Sequence, residues 1–234
     1  MTYHAMFDLT LTFDNGPDPD VTPQVLDILA RRGIKTTFFV IGNKLRDPAC
    51  RKLAERAHAE GHWIGNHSMT HMAPSLGHRA EPDTADREIG DTQALIGDLA
   101  HPDKWFRPFG GGGNLDNRLL RSDVVEFLER GRYSCVLWNA VPRDWEDPDG
   151  WIEVAKAQCR SRWGKAGDDW PLIVLHDLPT GAMRHLEAFL DWVEAAAARI
   201  RQDFPPACVP ISRGIAVLPL DAYVTRYLGA KVGV

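Results

Sequence analysis

The chain has 234 residues, 44% of them hydrophobic, and its 32 acidic and 27 basic side chains give a formal net charge of -5. That apolar share excludes a disordered chain, and the 20 glycines and 16 prolines follow no collagen-like repeat. No concentrated basic run suits a phosphate backbone and no 18-residue apolar stretch suits a bilayer, so neither nucleic acid nor membrane is an expected partner.

Strand and helix patterns alternate along the whole chain. Phe7 to Phe13 alternates apolar and polar residues with the period of a strand. Thr22 and Pro23 open a helix whose apolar face is Val25, Leu26 and Leu29, and Gly33 stops it. Thr36 to Ile41 is β-branched and aromatic, a buried strand. A helix over Pro48 to Glu60 and a strand over His62 to Asn66 follow. Pro82 to Leu99 carries Ile89, Leu95, Ile96 and Leu99 at helical spacing, Trp105-Phe106 starts a strand, and Leu119 to Arg130 is a helix. Tyr133 to Trp138 is a strand, Gly150 to Trp163 a helix, and Leu172 to Leu175 an all-apolar strand. A long helix over Gly181 to Arg201, a last strand over Gly214 to Leu218 and a terminal helix over Asp221 to Leu228 complete the expectation.

Repeated strand–helix units of this size imply a parallel sheet covered by helices. The expected fold class is α/β, a distorted (β/α) barrel with about seven parallel strands in one domain over residues 1–234. A doubly wound open sheet is the alternative. In either architecture the ligand site lies beyond the carboxyl ends of the strands. The N-terminal Met1-Thr2-Tyr3-His4 lacks the charged and apolar regions of an export leader, so a cytoplasmic protein is expected. Cys50, Cys135, Cys159 and Cys208 form no C-x-x-C pair and read as isolated thiols.

The polar clusters follow strand ends one after another. Thr12 to Pro17, Asn66 to His71, Phe106 to Gly110, Arg143 to Trp145 and His176-Asp177 would therefore meet on one rim. His67 and His71 stand at i, i+4, which on a helical turn puts both rings on one face for a metal ion; two capping histidines are the plainer alternative. Ser68 occupies the place of a zincin glutamate, which excludes that class. Taken alone, Asp14 before Asn15-Gly16 reads as a turn aspartate and His176 after four apolar residues as a core histidine. The glycines from 110 to 113 do not fit a phosphate loop; a backbone closely approached by a ligand fits better. Trp138 and Trp145 are candidates for core or pocket wall.

Together these blocks resemble the polysaccharide deacetylases with the NodB homology domain, carbohydrate esterase family four. Thr12-Phe13-Asp14-Asn15-Gly16-Pro17 is similar to the family's T-F-D-D-G-P, and His67-Ser68-Met69-Thr70-His71 to its H-S/T-x-x-H. Arg107-Pro108-Phe109-Gly110-Gly111, Val141 to Trp145 and Leu172 to His176 resemble the remaining three motifs, in the family's order. The resemblance implies removal of acetyl groups from amino sugars with a divalent metal, zinc first and cobalt or nickel next. It implies Asp14 as general base, His176 as general acid, Arg107 orienting Asp14, and Asp144 holding His176. It implies Trp145 and Leu175 as walls for the acetyl methyl, with Phe109 and Gly110 beside the substrate, a small acetylated sugar or oligosaccharide.

The implied metal ligands are His67, His71 and residue 15. Residue 15 is Asn where the family places a carboxylate, and the motif with Asp144 lacks its first Asp. A neutral oxygen brings no charge to a cation, so the site should hold its metal more weakly. Two alternatives follow: a metal-independent amidohydrolase resembling the allantoinase branch, and a non-catalytic carbohydrate-binding protein. The retention of both a base and an acid favours catalysis.

Overall fold

The computed structural model describes residues 7–79, 81–110, 118–162 and 169–217. Strands β1 (Phe7–Asp14), β2 (Thr37–Val40), β3 (Trp63–Asn66), β4 (Trp105–Phe106) and β5 (Ser134–Cys135) are joined in parallel in that order. β6 (Leu172–His176) and β7 (Ala198–Arg201) both pair in parallel with β1. The ring closes through the segment after β5, where Ala140 bridges Ile173 of β6. Helices α1 (Thr22–Arg31), α2 (Pro48–Ala59), α3 (Asp91–Ile96), α4 (Ser122–Arg130), α5 (Trp151–Arg160) and α6 (Leu186–Ala195) separate the strands. The fold is the expected α/β class, a distorted barrel. Among the described residues no helix is long and apolar enough to cross a membrane.

The alternation of β1 sorts its two faces. Phe7, Leu9, Leu11 and Phe13 pack with Val25, Leu26 and Leu29 of α1 and with Phe189 and Val193 of α6 in the main apolar core. The other face points into the ring. There Thr10 accepts from Trp170 Nε1 at 2.9 Å and Thr12 accepts from Arg107 at 2.7 Å. The same rule runs through β6, where Ile173 and Leu175 join the helix-side core while Leu172 and Val174 join Phe39, Val136 and Phe204 in a separate cluster.

Three expectations change. The long helix over Gly181 to Arg201 is a helix and a strand: α6 ends at Ala195, the chain reverses at Ala197 with φ 53°, and Ala198–Arg201 is β7. The alanine run suited a helix, but Arg199 and Arg201 both pair with Asp8 of β1, at 2.6 and 3.0 Å. The final strand is antiparallel: β9 (Ile215–Ala216) forms a short ribbon with β8 (Ile211–Ser212), so the seventh parallel strand is β7. Pro82 to Leu99 is not one helix either, for a π-helical turn over Asp86–Gly90 precedes α3 and a 3-10 turn over Gly97–Leu99 follows it. The terminal helix expected over Asp221 to Leu228 lies outside the described residues, as do the glycines from 111 to 113.

Candidate active site

β1 and β6 are neighbours in register, and the residue opposite Asp14 is His176. Register partners on adjacent strands project to the same face, so the two ends meet at the mouth of the ring. Both side chains are nearly buried, at 3% and 8% exposure.

Arg107, just past β4, is wholly buried and runs across the ring. Its Nη1 donates to Asp14 Oδ1 at 2.8 Å and to Thr12 Oγ1 at 2.7 Å. Its Nε donates to the Val136 carbonyl at 3.3 Å, and the guanidinium lies 4.0 Å over the Phe39 ring. A charge-assisted bond from so fixed a donor locks one oxygen of Asp14. The other, Oδ2, faces His67 Nε2 at 3.6 Å.

His67 Nδ1 lies 2.7 Å from the Arg107 carbonyl. A carbonyl only accepts, so Nδ1 carries the hydrogen and the lone pair stays on Nε2. Burial pushes the His67 pKa down to about 4, so the ring is neutral at pH 7. His71 is also held below its ordinary value by burial, and its ring centre lies 4.9 Å from that of His67. The pair converges as expected but not on a helical turn. Residues 67 to 71 form a loop in which Ser68 and His71 take left-handed backbones, φ 66° and 51°. Such conformations cost of order 1–3 kcal/mol each and persist only where neighbours enforce them.

Asp144 is buried and grips His176 twice: Oδ1 lies 2.8 Å from Nδ1, and Oδ2 accepts the His176 backbone N–H at 3.0 Å. Burial pulls the His176 pKa down, but the hydrogen bond and charge of Asp144, with the charges of Asp14 and Asp177, more than offset this and raise it above 6.5. With Nδ1–H engaged, Nε2 is the exchangeable position. Trp145 meets the ring edge-on at 4.6 Å and is 39% exposed, while Phe109 lies 4.6 Å from the His71 ring. Phe109, Gly110 and His71 line a cavity of about 500 Å³ with Ala73, Ser75 and His78.

Asn15 follows Asp14 with φ 71°, and its buried Oδ1 has no hydrogen-bond partner. Among the described residues no three His, Cys, Asp or Glu side chains are grouped to hold a metal. The donors that the geometry brings together are two neutral imidazoles, and a pair of neutral nitrogen donors with room for a further oxygen ligand suits a divalent cation such as zinc.

The polysaccharide deacetylase family model matches residues 7–124. A chitooligosaccharide deacetylase of Rhizobium leguminosarum bv. phaseoli is 39% identical over 231 residues, covering 95% of this chain and 87% of that protein. The chain belongs to the polysaccharide deacetylase family. The crystal structure of a peptidoglycan N-acetylglucosamine deacetylase superposes with TM-score 0.67 at 24% identity, covering 88% of this chain and 89% of that one. A family 4 acetyl xylan esterase from Clostridium thermocellum in complex with a cobalt ion gives TM-score 0.63 at 26% identity, over 83% and 87% of the two chains. As a polysaccharide deacetylase the chain is a hydrolase of carbon–nitrogen bonds that removes N-acetyl groups, and its family is metal-dependent.

In this deacetylase one expected wall residue is displaced. Leu175 is fully buried in the helix-side core with Phe13, on the opposite face of β6 from His176. Val174, two residues before His176, shares its face and is the residue that period-two geometry puts toward the ring. Thr12, which anchors Arg107, is a further site residue that sequence reasoning passed over; its signal was the i, i+2 relation to Asp14. Asp177 was expected on the rim beside His176, but nothing in the sequence gave it a role. It is buried, accepts a hydrogen bond from Thr22 Oγ1, and packs so tightly on Gly16 that a Cβ there would fall 2.2 Å from its Oδ2.

Proposed function

We propose that this deacetylase hydrolyses the N-acetyl amide of an amino sugar within a short chitooligosaccharide, with a divalent cation held by His67, His71 and Asn15. Zinc is the metal of choice, with cobalt or nickel as substitutes. The orphaned Asn15 Oδ1, the lone pair on His67 Nε2 and the neutral His71 ring beside it support that ligand set. Such a cation supplies Lewis acidity, polarising the amide carbonyl and lowering the pKa of a water from about 16 towards about 7.

The chain's own groups move the protons. Asp14, with Oδ1 pinned by Arg107, keeps Oδ2 to accept a proton from the attacking water. His176, protonated and oriented by Asp144, delivers a proton from Nε2 to the departing amine. Trp145 covers the acid and, with Val174, closes the space for the acetyl methyl. Phe109 and Gly110 flank the sugar beside His71. The observation that carries this reading is the register pairing of Asp14 with His176, with His67 3.6 Å from the base.

The test is acetate release from N-acetylated chitooligosaccharides by metal-loaded protein. Asp14→Asn and His176→Ala should each abolish turnover while oligosaccharide still binds; turnover retained in either would refute the assignment. The neutral residue 15 favours one other reading, a metal-independent amidohydrolase, and activity that survives exhaustive chelation would establish it. We also place the protein in the cytoplasm, a setting supported by four free, buried cysteines, and hence near soluble rather than wall-bound substrates.

A further inference from the structure

Glu88 lies outside the mouth, on the π-helical turn that interrupts the expected helix before α3. It is 4% exposed, a costly place for a carboxylate unless it is fully partnered. Its partners are specific. Oε2 accepts the backbone N–H groups of Met69 and Thr70, at 3.1 and 3.0 Å. Oε1 accepts from Thr70 Oγ1 at 2.8 Å and is paired with Arg79. Three of those four bonds go to the loop between His67 and His71.

That loop is strained at Ser68 and His71, so its shape must be imposed from outside. One side is held by backbone bonds from Gly42 and Asn43 to the Ser68 and Met69 carbonyls. Asn66 Oδ1 accepts the Ser68 N–H at 3.0 Å, and Asn66 Nδ2 donates to Ile89 O, one residue past Glu88. Gly42 leaves room for this packing, since a Cβ there would fall 2.7 Å from Met69 Sδ and 2.5 Å from Thr92 Oγ1. An ordinary helical turn would continue the ladder that the π-turn breaks, and single π-turns recur at functional sites.

We propose that Glu88 is a positioning residue: its carboxylate fixes the turn that carries His67 and His71 and so sets the geometry of the metal site. This rests on reading the two histidines as metal ligands. Arg79 neutralises the buried charge, so the anion is tolerated beneath the site. Gln at position 88 keeps an oxygen for the two backbone N–H groups. Asp keeps the charge but withdraws it by one methylene, beyond reach of the loop. Ala removes it.

The experiment is titration of metal-free protein with cobalt(II), followed by visible absorption, with circular dichroism and thermal unfolding of the metal-free forms as controls. Glu88→Ala and Glu88→Asp should weaken cobalt binding by about tenfold or more and alter the absorption band, whereas Glu88→Gln should stay within about threefold of the parent. Unaltered affinity and spectrum in folded Glu88→Ala would overturn the proposal. Should that variant not fold, Glu88→Asp decides it, and cobalt binding there equal to the parent's overturns it. His67→Ala and His71→Ala separate the two levels. If they leave cobalt binding intact, the metal-site reading itself fails; if they abolish it while Glu88→Ala does not, only the role of Glu88 fails.

Discussion

Replacing Asp177 with Asn should stabilise the protein, increasingly so as pH rises from 4 to 7. Asp177 is fully buried, and burial raises its pKa from 3.8 to about 7. Thr22 donates to Oδ2, and Oδ1 has no partner. The folded protein therefore keeps this carboxyl protonated at pH values where the unfolded chain has released its proton. A group whose folded pKa is raised contributes stability fully below its unfolded pKa, and that contribution is lost as pH climbs through the folded value. Here the window runs from about 3.8 to about 7. About three pH units at about 1.4 kcal/mol each give a loss of about 4 kcal/mol, a large part of the 5–15 kcal/mol typical of a domain.

Asparagine has the shape of the protonated acid and cannot ionise. The variant and the parent should differ little near pH 4. The variant should then gain about 1.4 kcal/mol per pH unit up to pH 7 and hold a constant advantage above it. Urea unfolding at pH 4, 5, 6, 7 and 8 measures this directly. His62 and His67, both pushed down to about 4 by burial, titrate on the same acid side, but they are common to both proteins and cancel in the difference. A packing change from the amide would shift the two curves by a constant. Parallel curves across the whole range would therefore refute the argument, because only a proton bound differently in the two states produces the slope.

Other perturbations reach the chemistry. Asp144→Asn removes the charge that raises the His176 pKa, so the alkaline limb of the kcat/KM profile should move to lower pH and kcat should fall by about 10²-fold or more. Asn15→Asp adds the missing negative charge and should tighten zinc binding by at least about tenfold in a competition titration; no change would show that residue 15 is not a donor. Arg107→Met leaves Asp14 buried without its cation and should cost about 3–5 kcal/mol in unfolding free energy, together with most of the turnover.

The period-two alternation of β1 foretold both its buried face and the placement of Asp14 at a strand end, because one strand's faces are set by local stereochemistry. The same rule, applied one step further, would have chosen Val174 over Leu175; motif similarity drew attention to the residue beside His176, whereas side-chain alternation selects the one two before it. The end of α6 was harder. Ala195 to Ala198 satisfies a helix locally, and the strand that follows pairs in register with Phe7 to Thr10, with Arg199 and Arg201 reaching Asp8, 191 and 193 residues away. No window of sequence contains that contact.

Non-local satisfaction also explains why Glu88 gave no signal and why Asp177, placed on the rim with His176, was given no role. Each is a single carboxylate whose meaning comes from donors elsewhere in the chain: Met69, Thr70 and Arg79 for one, Thr22 for the other. Arg107 shows the same dependence at the centre of the site. Its side chain fixes Asp14, 93 residues earlier, and its carbonyl fixes His67, 40 residues earlier. One residue thereby fixes the Asp14 carboxylate and the tautomer of the His67 imidazole together. Loss of its side chain should disturb Asp14 first and leave the His67 hydrogen bond standing, since that bond uses only the backbone. Histidine ring signals in the Arg107→Met protein check this: a His67 that keeps its Nδ1–H form while activity is lost fits the division of roles, and a His67 that changes tautomer contradicts it.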